Sequence, residues 1–256
     1  MKKSITFFLL LALAGTRGIA AADQSRPATQ DAAEAENLTA AQILANCVKL
    51  IPTERLLVTG SLTVRKARGI ELAEHPFKLL LDWGANPPSA EVLLLDTKGT
   101  SLVERAVLTR PDGMPPQIRL YRGPEQTPED APTYAGRIRG TDMTWLDLSL
   151  DFLWWKDVRF ADTPRGESHN RCDCDILVAT PPAPIPGCSA VRIWIDRKSR
   201  CVVQAEQLGP QGNTVRKMWV QRVKEINGRW MISYMEIETL NSGHRTRLLV
   251  DDVTTP

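Results

Sequence analysis

TVRKMWVQRVKEINGRWMISYMEIETL, residues 214–240, decides the fold. Apolar and polar residues alternate on both sides of Asn227-Gly228. Met218 and Val220 share one face of the first run; Met231, Met235 and Ile237 share a face of the second. A period of two places alternate side chains on opposite faces of a strand. Asn-Gly supplies the positive-φ pair of a type I′ turn, whose twist suits a two-residue hairpin. The stretch reads as two long antiparallel strands. A single hairpin is marginal in water, so further strands must flank it.

They are present in both directions. Downstream, a turn from Asn241 to Gly243 leads to a strand over 244–253. Upstream, the turns at Gly209 to Gly212 and Asp196 to Arg200 separate strands over 201–208, 190–196 and 174–180. The loop 181–187 between the last two holds four prolines and cannot continue a ladder. The same rhythm recurs earlier, in strands over 56–64, 77–83, 91–96, 101–108 and 117–121. Asn86-Pro87, Lys98-Gly99 and Asp112-Gly113 punctuate them. No helix-length segment lies between these strands, which excludes βαβ units and favours an antiparallel meander. About 11 strands rarely stay flat; they curl into a barrel, half-barrel or sandwich.

One helix precedes the strands and a second interrupts them. Thr39 with Gln42 forms a capping box and Leu38 with Ile43 a hydrophobic staple. Leu44, Cys47, Val48 and Ile51 continue an apolar stripe that Pro52 ends. A second helix is predicted over 142–156, with Trp145, Leu148, Phe152 and Trp155 on one face and Asp142, Asp147 and Asp151 on a solvated one. It follows a turn-rich connection, 123–140, with Pro124, Pro128 and Pro132. It needs an apolar surface to cover, and the concave side of a curled sheet supplies one.

The chain opens with a secretory pattern. Lys2 and Lys3 precede an apolar run over 5–14, and Ala20-Ala21-Ala22 offers small residues before Asp23. The run is too short to stay as a membrane anchor. The predicted organisation is a signal peptide at 1–22, a flexible leader at 23–36 and a single domain at 37–256. The first cysteine is Cys47, so no lipid-attachment cysteine follows the apolar run. The periplasm is the expected compartment. Losing three positive residues takes the formal charge from +2 to −1, which argues against a nucleic-acid partner. Residues 191–250 hold 11 Lys and Arg against 5 Asp and Glu, so the charge is unevenly spread. A basic half could meet anionic lipid or an acidic partner, or simply keep strand surfaces soluble.

The catalytic inventory is thin. The three histidines, His75, His169 and His244, lie near no nucleophile in sequence, and HExxH, GxSxG, GxGxxG and Walker patterns are absent. His75 reads as an exposed polar position and His244 as a plain turn residue. Cys172 and Cys174, with His169 nearby, lie too far apart on one strand face for a zinc knuckle. No metal or cofactor is expected. In an oxidising compartment five cysteines allow up to two disulfides. If 174–180 pairs antiparallel with 190–196, Cys188 falls at the far end from Cys172. A bridge from Cys172 or Cys174 to Cys201 is then expected, with Cys47 a buried free thiol. Leu148, Phe152 and Trp155 from the helix, with Met218, Val220, Met235 and Ile237 from the strands, offer adaptable apolar surface. They read as an ordinary core or as a pocket for an apolar ligand such as an acyl chain.

Several runs carry a family resemblance: CDILVATP (174–181), VRIWIDRK (191–198), VQAE (203–206), VKEINGRW (223–230), MEIE (235–238) and SGHRT (242–246). This pattern of strands and turns resembles the LolA-like outer-membrane lipoprotein-sorting proteins, closely over 172–253 and loosely over 40–253. The helix following DMTWLD (142–147) fits as well. The resemblance implies a mainly β fold, with a curved antiparallel half-barrel closed by helices over an apolar cavity. It further implies a monomeric, non-enzymatic carrier that shields acyl chains of lipidated proteins across the periplasm. An inner-membrane component would load them and an outer-membrane component accept them. Related half-barrels instead bind a regulator, so an envelope regulatory or interaction module is the alternative. A redox or metal protein built on Cys172, Cys174 and His169 is a third. The 123–140 insertion and the cysteine cluster have no counterpart in the family pattern.

Overall fold

The computed structural model describes residues 38–66, 69–112, 114–123, 125–163 and 165–256. The expected signal peptide, 1–22, and leader, 23–36, lie outside the described residues. Among the described residues no helix is long and apolar enough to cross a membrane.

Among the described residues, fourteen strands form one antiparallel sheet. In chain order they are β1 (Leu56–Lys66), β2 (Glu71–Asp82), β3 (Ser89–Leu95), β4 (Leu102–Thr109), β5 (Gln117–Arg122), β6 (Thr127–Glu129) and β7 (Asp157–Phe160). There follow β8 (Glu167–His169), β9 (Cys172–Thr180), β10 (Ala190–Asp196), β11 (Val202–Leu208), β12 (Thr214–Ile226), β13 (Arg229–Thr239) and β14 (His244–Thr254). All eleven predicted strands are present. The three additional ones, β6, β7 and β8, are three or four residues long and lie at or beside the sheet's edges. They are too short to show a period in the sequence.

The strand order is β6-β5-β4-β3-β2-β1-β14-β13-β12-β11-β10-β9-β7, with β8 also on β9. The first and last long strands, β1 and β14, thus pair at the middle of the sheet. The sheet does not close, because β6 and β7 end opposite edges. The register between β1 and β14 shifts at Thr59/Gly60. A Cβ on Gly60 would lie 2.0 Å from the Leu249 carbonyl oxygen, so only glycine admits this close approach.

This topology has a necessary consequence. β6 and β7 are opposite edges but consecutive in the chain, so residues 130–156 must cross one face of the sheet. The crossing segment also shows that the sheet is curled. Asp147 binds Arg216 on β12, and Asp151 binds Arg110 just beyond β4. Those strands are six positions apart, about 29 Å on a flat sheet. Asp147 and Asp151 are only four residues apart, at most about 14 Å of chain. The face must wrap around the segment for both pairs to form.

Helix α1 (Ala40–Val48) carries the expected capping box, with Thr39 and Gln42 bonded reciprocally. It buries Ile43, Leu44 and Cys47 against the same core. The second predicted helix is not continuous. Only α2 (Trp145–Ser149) is α-helical, and a 3-10 turn covers Asp151–Trp154. Leu150 between them has φ +47°, which breaks the helical path. The cause is tertiary: Leu146, Leu150, Phe152, Leu153 and Trp155 are all buried, more apolar side chains than one face of a straight helix presents. The cover over the sheet is therefore mostly irregular chain rather than helix.

Candidate functional site

The concave face and the segment across it form one apolar core. Inward rows run at a spacing of two along each strand: Val58, Leu62 and Val64 on β1; Ala106 and Leu108 on β4; Ile193 and Ile195 on β10; Leu248 and Val250 on β14. The seven expected ligand-lining residues all join this core. Phe152, Trp155, Met218, Met235 and Ile237 are buried, and Leu148 and Val220 pack partly buried against them.

Among the described residues, two clefts lie beneath the segment. One is wholly apolar, between Leu62, Phe77, Leu79, Val92, Leu94 and Leu248 of the sheet and Ile138, Met143 and Leu148 of the segment. The other lies between Leu146 and Phe152 of the segment and Val191, Ala205, Arg216 and Met218 of the sheet. The space within them is only about 20 and 10 Å³, room for about one water each. At these two places, among the described residues, the concavity is filled by the chain's own side chains. Pockets that take small ligands are roughly 300 Å³ or more, so a ligand needs the segment to move.

Polar side chains fasten the segment at two places. Arg216 occupies the inward row of β12, two residues before Met218. It donates to both Asp147 carboxylate oxygens, at 3.2 and 2.5 Å, to Thr144 Oγ1 at 3.1 Å and to the Asp142 carbonyl. Asp142 is fully buried. Its carboxylate accepts from the Thr239 N–H at 3.2 Å and Thr246 Oγ1 at 3.2 Å, and lies 2.9 Å from His244 Nδ1. The second fastening is Arg110, which follows the inward row Ala106 and Leu108. Its Nη1 donates to Asp151 Oδ1 at 2.7 Å and its Nη2 to the Ser149 carbonyl at 3.3 Å. Trp155 Nε1 donates to the other Asp151 oxygen at 3.0 Å. The Arg110 guanidinium also sits 3.9 Å over the Trp154 ring, which stacks on Trp83.

These contacts correct the sequence reading. Asp142, Asp147 and Asp151 are not a solvated face; Asp142 and Asp151 are buried, Asp147 is half-buried, and each meets partners from the sheet. His244 is no plain turn residue, since it holds Asp142. Nor is His75 exposed: it is half-buried beside the inward rows, where burial lowers its pKa, and Arg139 lowers it further against Glu104. Arg216, Arg110 and Thr246 were missed, although a signal existed. Each continues an inward apolar row at a spacing of two, where a charged or hydroxyl side chain needs a buried partner.

Several of the cations in 191–250 are paired locally. Arg245 and Arg247 both bond the buried Glu236, Arg192 pairs with Glu206, and Arg229 with Glu54. Burial works against ionisation of Glu236, but the Tyr234 hydroxyl and Arg245 outweigh it and lower its pKa.

The five cysteines are free thiols. The expected bridge from Cys172 or Cys174 to Cys201 is not made, for a reason of register. Cys174 pairs with Asp196 on β10, and the Asp196 N–H bonds the Cys201 carbonyl on the far side. β10 therefore lies between them, placing the two backbones about 9–10 Å apart. A disulfide needs Cα atoms within about 7 Å. Burial raises the pKa of Cys174 to about 12 and of Cys188 to about 11. His169 Nε2 lies 3.0 Å from Gln204 Oε1 and its ring is tilted against Trp194.

Comparison with known proteins adds the following. A family model described as an uncharacterized protein matches residues 131–255. No curated protein matches the chain. Among solved structures, a DUF1329 family protein from Desulfovibrio piger superposes with a TM-score of 0.71 at 14% identity, covering 84% of this chain and 91% of its own. An outer membrane lipoprotein-sorting protein domain from Vibrio parahaemolyticus gives 0.71 at 14% identity, with 86% and 92% covered. A LolA superfamily protein from Nitrosomonas europaea gives 0.66 at 14% identity, with 86% and 94% covered.

Proposed function

From a chain with a LolA-like fold, we propose a non-enzymatic periplasmic carrier that takes up acyl chains of lipidated proteins, or another apolar ligand, on the concave face. Segment 130–156 is its lid. One observation carries the reading: an apolar cleft is covered by the chain's own segment, and that cover is fastened by ion pairs at two places. Apolar burial is non-directional, so an acyl chain can replace the lid's apolar contacts at little net cost. The ion pairs are directional and define the closed position. Burying a methylene contributes about 0.8 kcal/mol, so an acyl chain by itself supplies useful affinity. A modest, reversible hold suits a carrier between membranes.

The test is titration of the purified protein with an acylated peptide and the same peptide unacylated, read by native mass spectrometry and by lid hydrogen exchange. Binding confined to the acylated form, with 130–156 losing protection, supports carriage. Equal binding of both peptides points instead to an envelope protein as the partner. No binding of either overturns the proposal.

A further inference from the structure

One pair of cysteines meets across the fold, and it is not the pair expected from the sequence. Cys47 lies on the last turn of α1. Cys201 follows the turn between β10 and β11. Cys47 Sγ donates to the Arg200 carbonyl oxygen at 3.0 Å. That oxygen is bonded to the carbon preceding Cys201, so covalent geometry puts Cys47 Sγ within roughly 6 Å of the Cys201 Cα. In a disulfide the same separation is roughly 4 Å. Leu50 and Ile51, just past α1, pack on Cys201 together with Trp230, so the end of α1 covers Cys201. Cys201 also adds to the effect of burial in raising the Cys47 pKa. By contrast, Cys174 interacts with Cys172, two residues away on its own strand.

We infer that Cys47 and Cys201 are a disulfide pair, which forms as the chain folds under oxidising conditions. The bridge would tie α1 to the turn between β10 and β11. α1 packs against the 3-10 turn at the end of the crossing segment and against β7. The staple therefore anchors the C-terminal end of the crossing segment through α1 and leaves the part between Tyr134 and Leu150 unbridged.

The chemistry balances by thiol–disulfide exchange. One thiolate attacks the disulfide of an oxidised dithiol oxidoreductase, or of oxidised glutathione, and forms a mixed disulfide. The second thiolate displaces it, forming the Cys47–Cys201 bond. Two electrons and two protons pass to the oxidant, which leaves as free thiols. Burial holds both thiols far from ionisation in the folded state, with Cys201 at about 12. The exchange must precede final packing, when thiolates are still available. Oxidising conditions in the cell rest on the proposed export, so the experiment separates the pairing from the location.

In the first arm, denatured and reduced full-length chain refolds with reduced and oxidised glutathione, is alkylated without reduction, and is digested with trypsin. The expected product links the peptide ending at Lys49 to the peptide beginning at Cys201, with Cys172, Cys174 and Cys188 alkylated. Alkylation of Cys47 and Cys201, or linkage of either to another cysteine, overturns the pairing. In the second arm the chain is isolated from the cell envelope after alkylation in place. The same linkage there supports export, whereas reduced Cys47 and Cys201 with a bridge in the first arm would refute the location alone. As a third measurement, reductant should lower the Tm of the oxidised wild type by on the order of 5–10 °C. It should leave C47S and C201S unchanged. An equal effect of reductant on all three proteins overturns the proposal even if the variants fold poorly.

Discussion

Replacing Arg216 by Gln should open the lid without unfolding the sheet. The side chains of Arg216 and Asp147 are 9% and 11% exposed, so solvent screens the pair weakly. The substitution removes both bonds to Asp147, and with them the contacts to Thr144 Oγ1 and the Asp142 carbonyl. A half-buried carboxylate is left without its cation. Breaking a buried ion pair in this way costs about 3–5 kcal/mol. If the cost falls on the crossing segment alone, its opening equilibrium rises roughly 100-fold or more, since each 1.4 kcal/mol is about tenfold. Hydrogen exchange read by mass spectrometry should show amides between Ile138 and Leu150 exchanging faster by that factor. β1, β13 and β14 should keep their protection. D147N should have the same local effect, and the double variant should be little worse than either single one, because the two residues act as one contact. Uniform loss of protection across the sheet would refute the reasoning. It would mean that the segment is an inseparable part of the core and not a cover.

The second fastening can be tested by a cycle of R110Q and D151N. A coupling of about 1–3 kcal/mol is expected, together with a shift in tryptophan fluorescence, because Arg110 lies over Trp154 and Trp154 stacks on Trp83. Additive effects would show that the pair is not a unit. Phe152→Ala empties a fully buried site and should cost about 3–5 kcal/mol, a fall in Tm of roughly 10 °C by calorimetry. Acidification tests His75. Its folded-state pKa lies below the ordinary 6.5, so protonation favours the unfolded chain. Its neutral form is fully compatible with folding above pH 6.5, and stability is lost as pH falls through 6.5 toward the lowered value. H75Q should therefore lose less stability than wild type between about pH 7 and 5, measured by urea unfolding.

Much of this was legible in the sequence. The alternation through 214–240 and the turns around it specify the long strands and their antiparallel sense. The capping box at Thr39 and Gln42 fixes the start of α1. These signals are local: a strand's period, a turn's positive φ and a helix cap each need only a few neighbouring residues. The set of apolar residues that share the core was also readable, because inward position follows from parity along a strand.

The way the chain crosses itself was decided only by the tertiary structure. The edge strands β6 and β7 are too short to announce themselves, and their placement on opposite edges is what forces 130–156 across the concave face. The lid's carboxylates read as solvated because helical spacing alone says nothing about cations 41 and 69 positions away in the chain. Once the sheet curls, Arg110 and Arg216 reach Asp151 and Asp147 from strands six places apart, and burial requires each charge to find its partner. The same register that keeps Cys174 from Cys201 by one strand brings Cys47, 154 residues earlier, to the carbonyl beside Cys201. Local periodicity fixed which face of each strand is apolar; the long-range curling of the sheet fixed what that face covers.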